Sequence, residues 1–340
     1  MFLVQGVVVL AAGLMMLWLG GPAMVRATVA TALAVVLLTA AGLVSRAVRD
    51  PQTGTLLAVA AAAYAATAGW LGAEAIAPHS APAVRIALAS LAALVTLAAG
   101  LSAVADSGLI FVGALTFAAG VAVPALLAAA GPVTQQEAAA CGLVLSMVVT
   151  LMLPPAAFRL GGLALPLLPG KPDQLSDNID PEPYRVVVDR GTAGLSYLAA
   201  LSIGVGTAQT LLGAALVFPG RTWPMILALV AAALLSMRAR HLTAMVARWA
   251  MMVPAAALVV FVLIRYATDQ EDLVRAAVLA PAVAAIAGAL LAAAATLPGR
   301  RLRPYWGRAV DILEIVIAVS LIPVLGGVLE VYQAVRAWAS

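Results

Sequence analysis

Eleven runs of about 20 mostly apolar residues follow one another along the chain, and this repetition constrains the fold more than any other feature. A helix needs about 20 such residues to cross a bilayer, because every backbone polar group in the hydrocarbon must be hydrogen-bonded within the segment. The runs lie at residues 2–19, 27–45, 55–77, 81–104, 107–130, 137–158, 191–218, 222–238, 244–264, 272–297 and 308–334. With 64% hydrophobic and 10% charged residues among 340, the chain has more apolar surface than a soluble domain can bury. The sequence predicts an all-α integral membrane protein, a bundle of about eleven transmembrane helices.

One connection is longer and more polar than the others and divides the predicted bundle. It spans residues 159–190 and holds five prolines together with several acidic and basic residues. The predicted organisation is therefore helices 1–6 over residues 1–158, a cytoplasmic loop over 159–190, and helices 7–11 over residues 191–340.

The distribution of basic residues predicts the orientation. With the N-terminus in the cytoplasm, 13 of the 19 basic residues fall on the cytoplasmic side, as the positive-inside rule expects. An odd number of spans then puts the C-terminus in the periplasm. Because no basic residue precedes the first run, that helix would orient weakly alone, and we expect a cytosolic domain to precede Met1 in the full-length protein.

Residue types that carry catalysis or transport are scarce inside the runs. Gln209 lies within the seventh run, where a hydrogen bond to a neighbouring helix is favoured over a substrate role. Asp106 and Glu137 lie in a connection or at a helix start, where capping or solvation is favoured. The two histidines fall in loops on opposite sides and the chain has one cysteine. The sequence therefore predicts no catalytic residue, no metal site, no cofactor and no nucleic-acid partner.

Proline occurs inside several runs, at Pro124, Pro154, Pro155, Pro254, Pro281 and Pro323. In a transporter, broken helices come in matching pairs around a polar site at the membrane midplane. These prolines show no such pairing. The sequence favours kinks that serve helix packing or that shape a lipid-filled hollow.

The last run opens with the most concentrated polar pattern of the apolar segments. Arg308, Asp311 and Glu314 are spaced by three residues and fall on one helical face. One interpretation is a helix start with an interfacial ion pair between Arg308 and Asp311. The other is that this face docks onto another helix or subunit, since lipid does not tolerate a deeply placed Glu314.

Three segments together carry a family resemblance. They are residues 159–169 (RLGGLALPLLP), residues 238–250 (RARHLTAMVARWA) and residues 304–314 (PYWGRAVDILE). Their order and spacing, with eleven runs and a long loop after the sixth, resemble the EccD family, the polytopic membrane component of the type VII (ESX) secretion system of mycobacteria and related actinobacteria.

The resemblance implies a non-enzymatic scaffold subunit of a protein-secretion complex in the inner (cytoplasmic) membrane. It implies a dimer with a lipid-lined cavity, which assembles with a secretion ATPase (EccC-like), with EccB-like and EccE-like membrane components, and with membrane lipids. It also implies a ubiquitin-like cytosolic domain before the first helix, which is absent from this chain. The candidate partner contacts are Arg159, Arg185, Arg190, Arg238, Arg240, His241, Arg248, Tyr305, Trp306, Arg308, Asp311 and Glu314.

Two other classes stay open as alternatives. A stand-alone secondary transporter or permease is disfavoured by the few midplane charges, by the odd number of runs and by the lack of a detectable inverted repeat. A membrane enzyme acting on lipid-linked substrates needs a polar cluster at one membrane face, and residues 308–314 are the nearest match.

Overall fold

The computed structural model describes residues 2–104, 108–163, 183–296, 304–333 and 337, and within these ranges the chain is helical with no strand. The helices are α1 (Phe2–Met16), α2 (Ala23–Leu43), α3 (Pro51–Ile76), α4 (Pro82–Ala103), α5 (Gly108–Ala130), α6 (Gln135–Leu160), α7 (Tyr184–Val217), α8 (Thr222–Ala239), α9 (Met245–Thr268), α10 (Asp272–Val274), α11 (Ala280–Thr296) and α12 (Pro304–Val328). A π-helical turn extends α2 over Val44–Val48, and another joins α10 to α11 over Arg275–Leu279.

Nine helices of the described residues are long and apolar enough to cross a membrane, and they confirm nine of the eleven predicted runs. The other two runs are helical as well but are not among these nine spans. Residues 2–19 give α1, which has 15 residues, and residues 272–297 give α10, the π-helical turn and α11. The all-helical membrane bundle is thus confirmed, while the orientation of its termini stays a prediction.

Helical structure begins inside the predicted cytoplasmic loop, whose bounds stay a prediction. Helix α7 begins at Tyr184 rather than at residue 191 and has 34 residues, which is about 51 Å at 1.5 Å per residue. Arg185 and Arg190 therefore lie on a helix. Hydropathy could not show this, because a helix that continues past the hydrocarbon can be polar without losing its backbone hydrogen bonds.

Helix α7 lies at the centre of the bundle. It packs against α5, α6 and α9, while α2, α3, α4 and α5 pack in series along the chain. The largest core joins side chains of α6 to α9 with two from α12, and a second core joins α2 to α5. In the 18-residue apolar segment of α7, 61% of the residues are buried inside the protein, whereas in that of α12 only 6% are buried. Helix α12 is therefore held at the edge by few contacts.

Glycines allow α7 to approach its neighbours closely. A Cβ on Gly204 would overlap the carbonyl oxygen of Gly113 in α5, and a Cβ on Gly206 would overlap the carbonyl oxygen of Ala250 in α9. Small residues at helix contacts are a general device of membrane proteins, because lipid provides no hydrophobic drive for helices to associate.

Two of the prolines inside the spans also pack against glycines. The Pro124 ring lies against Gly142 of α6, and the Pro254 ring lies against Gly206 of α7. Proline lacks an N–H, so Pro254 leaves the Ala250 carbonyl without its usual donor, and this carbonyl faces Gly206. These contacts support the packing interpretation of the prolines.

Two buried glutamine side chains join helices to each other. Gln209 of α7 donates through Nε2 to Ser146 Oγ of α6 at 3.2 Å, as expected of a helix-joining residue. Gln136 Nε2 donates to the Leu216 carbonyl at 2.7 Å. Glu137 forms a capping box with Thr134 at the start of α6, which confirms its predicted capping role. The sequence position Asp106 lies outside the described residues.

Asp50 caps the start of α3. Its carboxylate accepts from the Thr53 hydroxyl and from the backbone N–H groups of Thr53 and Gln52. These hydrogen bonds, those from Thr53 above all, lower the pKa of Asp50 from 3.8.

We expect this cap to make the stability of the folded protein decrease as the pH falls into the acid range. Because the folded-state pKa is lowered, the contribution of Asp50 is present above the unfolded pKa and is lost as the pH falls through the folded value. Asp50→Asn keeps an acceptor for the cap and should flatten this part of the melting temperature's pH profile. Asp50→Ala should lower the melting temperature at neutral pH. Equal profiles for all three proteins would contradict the assignment.

Candidate functional site

The structure brings together two of the segments that the sequence singled out. The turn between α8 and α9 meets α12 through four side chains, Arg240, His241, Asp311 and Glu314, which we call the turn–α12 cluster. Arg240 Nη2 lies 2.5 Å from Asp311 Oδ1 and 2.9 Å from Glu314 Oε2. His241 Nε2 lies 3.1 Å from Glu314 Oε2.

The predicted ion pair between Arg308 and Asp311 does not form. Asp311 pairs with Arg240, and Arg308 is exposed without an ion pair in the part of the chain that the structure describes. A single guanidinium between two carboxylates satisfies both at once, whereas Arg308 could reach them only along its own helix. The alternative interpretation, in which this face docks onto another helix, is the one that the geometry supports.

The electrostatics of the turn–α12 cluster suit a structural contact. Hydrogen bonds to Glu314 and then to Asp311 raise the pKa of Arg240 above its ordinary value, so this residue stays charged at any physiological pH. Its guanidinium occupies the carboxylates that a metal or a catalytic proton transfer would need. Among the described residues, no group of three or more histidine, cysteine or acidic side chains could hold a metal ion.

Two further candidate contacts are engaged inside this chain. Arg238 is half-buried, and its Nη1 donates to the Met147 carbonyl and the Thr150 hydroxyl of α6. Arg248 donates through Nε and Nη2 to the Leu242 carbonyl at 3.1 and 2.8 Å. Both arginines hold the turn between α8 and α9 in place. Their predicted role in binding partners stays a prediction.

The sequence did not reveal the contacts that these arginines make, nor a second ionic link between α8 and α12. Arg221, at the start of α8, pairs with Glu330, which follows α12. The two antiparallel helices are thus joined at both ends. The one sequence feature consistent with this pair is that Arg221 and Glu330 fall on the same predicted side of the membrane.

Helix α7 extends well beyond the start of α9, and its first residues also pass the end of α6, which lies against the Arg190 backbone. Gly206 lies against Ala250, and α7 begins 22 residues before that level while α9 begins five residues before it. At 1.5 Å per residue, α7 starts about 25 Å farther out. We call residues 184–193 the α7 extension.

The α7 extension carries an exposed apolar stripe between charged side chains. Tyr184, Val187 and Val188 share one helical face and are 83%, 43% and 40% exposed. Arg185 and Asp189 are exposed beside them. A stripe of this kind on a charged segment is typical of a surface that another protein covers.

The remaining candidate partner contacts lie near the α7 extension or outside the part of the chain that the structure describes. Arg159 is exposed at the last turn of α6. Arg190 is half-buried, and its backbone lies against Gly161, where α6 ends. The side chains of Tyr305 and Trp306 lie outside the described part of the chain.

These features define a class: a multi-pass helical membrane protein whose polar side chains hold helices together and whose extended helix offers a surface at one end. A family profile described as EccD-like transmembrane domain matches residues 1–338. The chain belongs to the EccD family. This family is not a known family of enzymes.

Solved structures from secretion complexes have a similar fold. One, described as protomer 1 of the ESX-3 core complex, has a TM-score of 0.76 at 19% identity and covers 97% of this chain and 75% of its own. Another, from the MycP5-free ESX-5 inner membrane complex in state II, has a TM-score of 0.64 at 19% identity and covers 86% of this chain and 68% of its own. No curated protein sequence matches the chain. Family and fold support a multi-pass inner-membrane subunit of type VII secretion.

Proposed function

We propose that this protein is a non-enzymatic framework subunit of a type VII (ESX) secretion complex. In this proposal it pairs with a second copy around a lipid-lined cavity and assembles with an EccC-like secretion ATPase and with EccB-like and EccE-like membrane components. The observation that carries the proposal is the α7 extension, a charged helix with an uncovered apolar stripe beyond the end of the bundle. The family and the ESX neighbours support it.

The α7 extension suits a protein partner for physical reasons. Charged residues Arg185 and Asp189 keep this segment out of the hydrocarbon, so lipid does not cover the stripe that contains Val188. Exposed apolar surface outside the bilayer costs free energy, which a partner surface removes. Arg185 then supplies charge that selects an acidic partner surface.

Reversing the charge at Arg185 should therefore release the partner. We expect Arg185→Glu together with Val188→Asp to reduce the amount of ATPase that co-purifies from cells expressing the whole complex by about tenfold, as expected when one buried contact and one charge pair are lost. The measurement is quantitative mass spectrometry of the affinity-purified complex.

The matched control is Arg275→Glu, an exposed charge reversal in the π-helical turn after α10, where a surface pair with Asp272 and a hydrogen bond to the Gln270 carbonyl are lost. It should leave the complex intact. Equal recovery of all subunits with the Arg185 and Val188 variant would refute this role for the α7 extension.

A further inference from the structure

An open groove lies between the end of α2 and the end of α4. Its volume is about 640 Å³, and its walls are formed by Leu38, Gly42 and Leu43 of α2 and by Ala99, Ser102 and Ala103 of α4. Arg46 stands among these residues at the end of the groove. The groove is thus apolar along the helices and basic where the helices end.

Arg46 neutralises the end of α4. Its Nε donates to the Ala103 carbonyl at 3.2 Å and its Nη2 to the Ser102 carbonyl at 3.1 Å. The C-terminal end of a helix carries negative partial charge and would repel an anion. With these carbonyls capped, the other N–H groups of the Arg46 guanidinium have no partner among the described residues and can donate to a ligand oxygen.

Arg49 adds a second positive charge three residues later. Its backbone is left-handed, with φ of 57°, and ends the π-helical turn, while its side chain is exposed. The adjacent Asp50 accepts hydrogen bonds at the start of α3 and forms no ion pair with Arg49 among the described residues. Within the described ranges, neither arginine forms an ion pair.

We propose that this groove binds one anionic phospholipid. Its phosphate lies at Arg46, with Arg49 adding positive charge at the same end of the helix, and an acyl chain follows the apolar walls towards Leu38. A charge-assisted contact of guanidinium with phosphate is among the strongest polar contacts, and the ends of spanning helices are where lipid headgroups lie. In a zwitterionic lipid the headgroup's own cation offsets the phosphate charge that the arginines attract, and a free phosphate would leave the apolar walls without a ligand. The proposal does not depend on the proposed role in secretion.

The test is native mass spectrometry of the full chain in detergent, titrated with phosphatidylglycerol or phosphatidylcholine of the same acyl chains. We expect phosphatidylglycerol to bind about tenfold more tightly, and Arg46→Gln with Arg49→Gln to remove this preference. Arg49→Gln alone leaves the cap of α4 in place and should give an intermediate loss. Thr39→Trp fills the groove without touching either arginine and should weaken both lipids.

The control Arg159→Gln removes an equal charge elsewhere and should leave the lipid preference unchanged. Inorganic phosphate separates the two sources of a phosphate group. If it displaces phosphatidylglycerol at equal concentration, the site is an anion site and the lipid proposal is overturned. Equal affinity for the two lipids, or an unchanged preference in the double variant, would overturn it as well.

Discussion

Gly206→Val is expected to prevent the bundle from assembling in its native packing. A Cβ at this position overlaps the Ala250 carbonyl oxygen and contacts the Pro254 ring. Overpacking of a core costs about 1–3 kcal/mol when side chains can move aside. Here the obstacle is the backbone of α9, which cannot move aside as a side chain can, so we expect a larger loss of stability. Fluorescence-detected size exclusion after heating should show little monodisperse protein, or a melting temperature far below that of the native chain.

Gly191→Val, in the same helix, provides the matched control. No atom lies within 4 Å of the position that a Cβ would take at Gly191, so its substitution should leave the elution profile and melting temperature nearly unchanged. If the Gly206 variant behaves like the Gly191 variant, α7 does not approach α9 as closely as described, and its central position in the fold is wrong.

Hydropathy predicted where helices lie but not which residues bring them together. The nine long spans follow from the length of apolar runs, because that length is set by the thickness of the bilayer. The contact of Gly206 with Ala250 joins residues far apart in the sequence. Glycine and alanine are abundant throughout this chain, so no local pattern distinguishes a contact glycine from one such as Gly191, which contacts nothing.

The candidate site was predicted in part for the same reason. The spacing of Arg308, Asp311 and Glu314 correctly indicated a polar face at the start of α12. It suggested Arg308 as the partner of Asp311, because only neighbours on one helix can be paired from spacing. Arg240 belongs to another connection, and its position depends on how α8 and α12 pack. The family resemblance rested on both of these segments, but the ionic contacts between them could be identified only from the structure.

These internal contacts also change how partner binding should be tested. Reversing the charge of Arg238 or Arg240 would disturb the turn between α8 and α9 before any partner is considered. A loss of the ATPase from such variants would not identify a contact. Arg185 is exposed, and the part of the chain that the structure describes gives it no ion pair. The α7 extension is therefore the better place to test association.

Arg240→Glu is expected to separate the start of α12 from the turn between α8 and α9. The change replaces the only guanidinium of the turn–α12 cluster and puts a third carboxylate beside Asp311 and Glu314. The Glu314 side chain is only 18% exposed, so it would lose its partner where water replaces it poorly. Because α12 is buried over so little of its length, we expect the melting temperature to fall by several degrees and limited proteolysis near α12 to accelerate.

A charge swap and a control at the far end of the same helices separate this contact from a general effect of charge. Arg240→Glu combined with Glu314→Arg restores opposite charges across the contact and should recover much of the lost stability. Arg221→Glu breaks the pair with Glu330, whose side chains are 47% and 43% exposed. Exposed pairs contribute at most about 1 kcal/mol, so this variant should melt close to the native protein. If both reversals have equal effects and the swap restores nothing, the turn–α12 cluster does not hold α12, and the helix is positioned by its apolar contacts with α8 and α6.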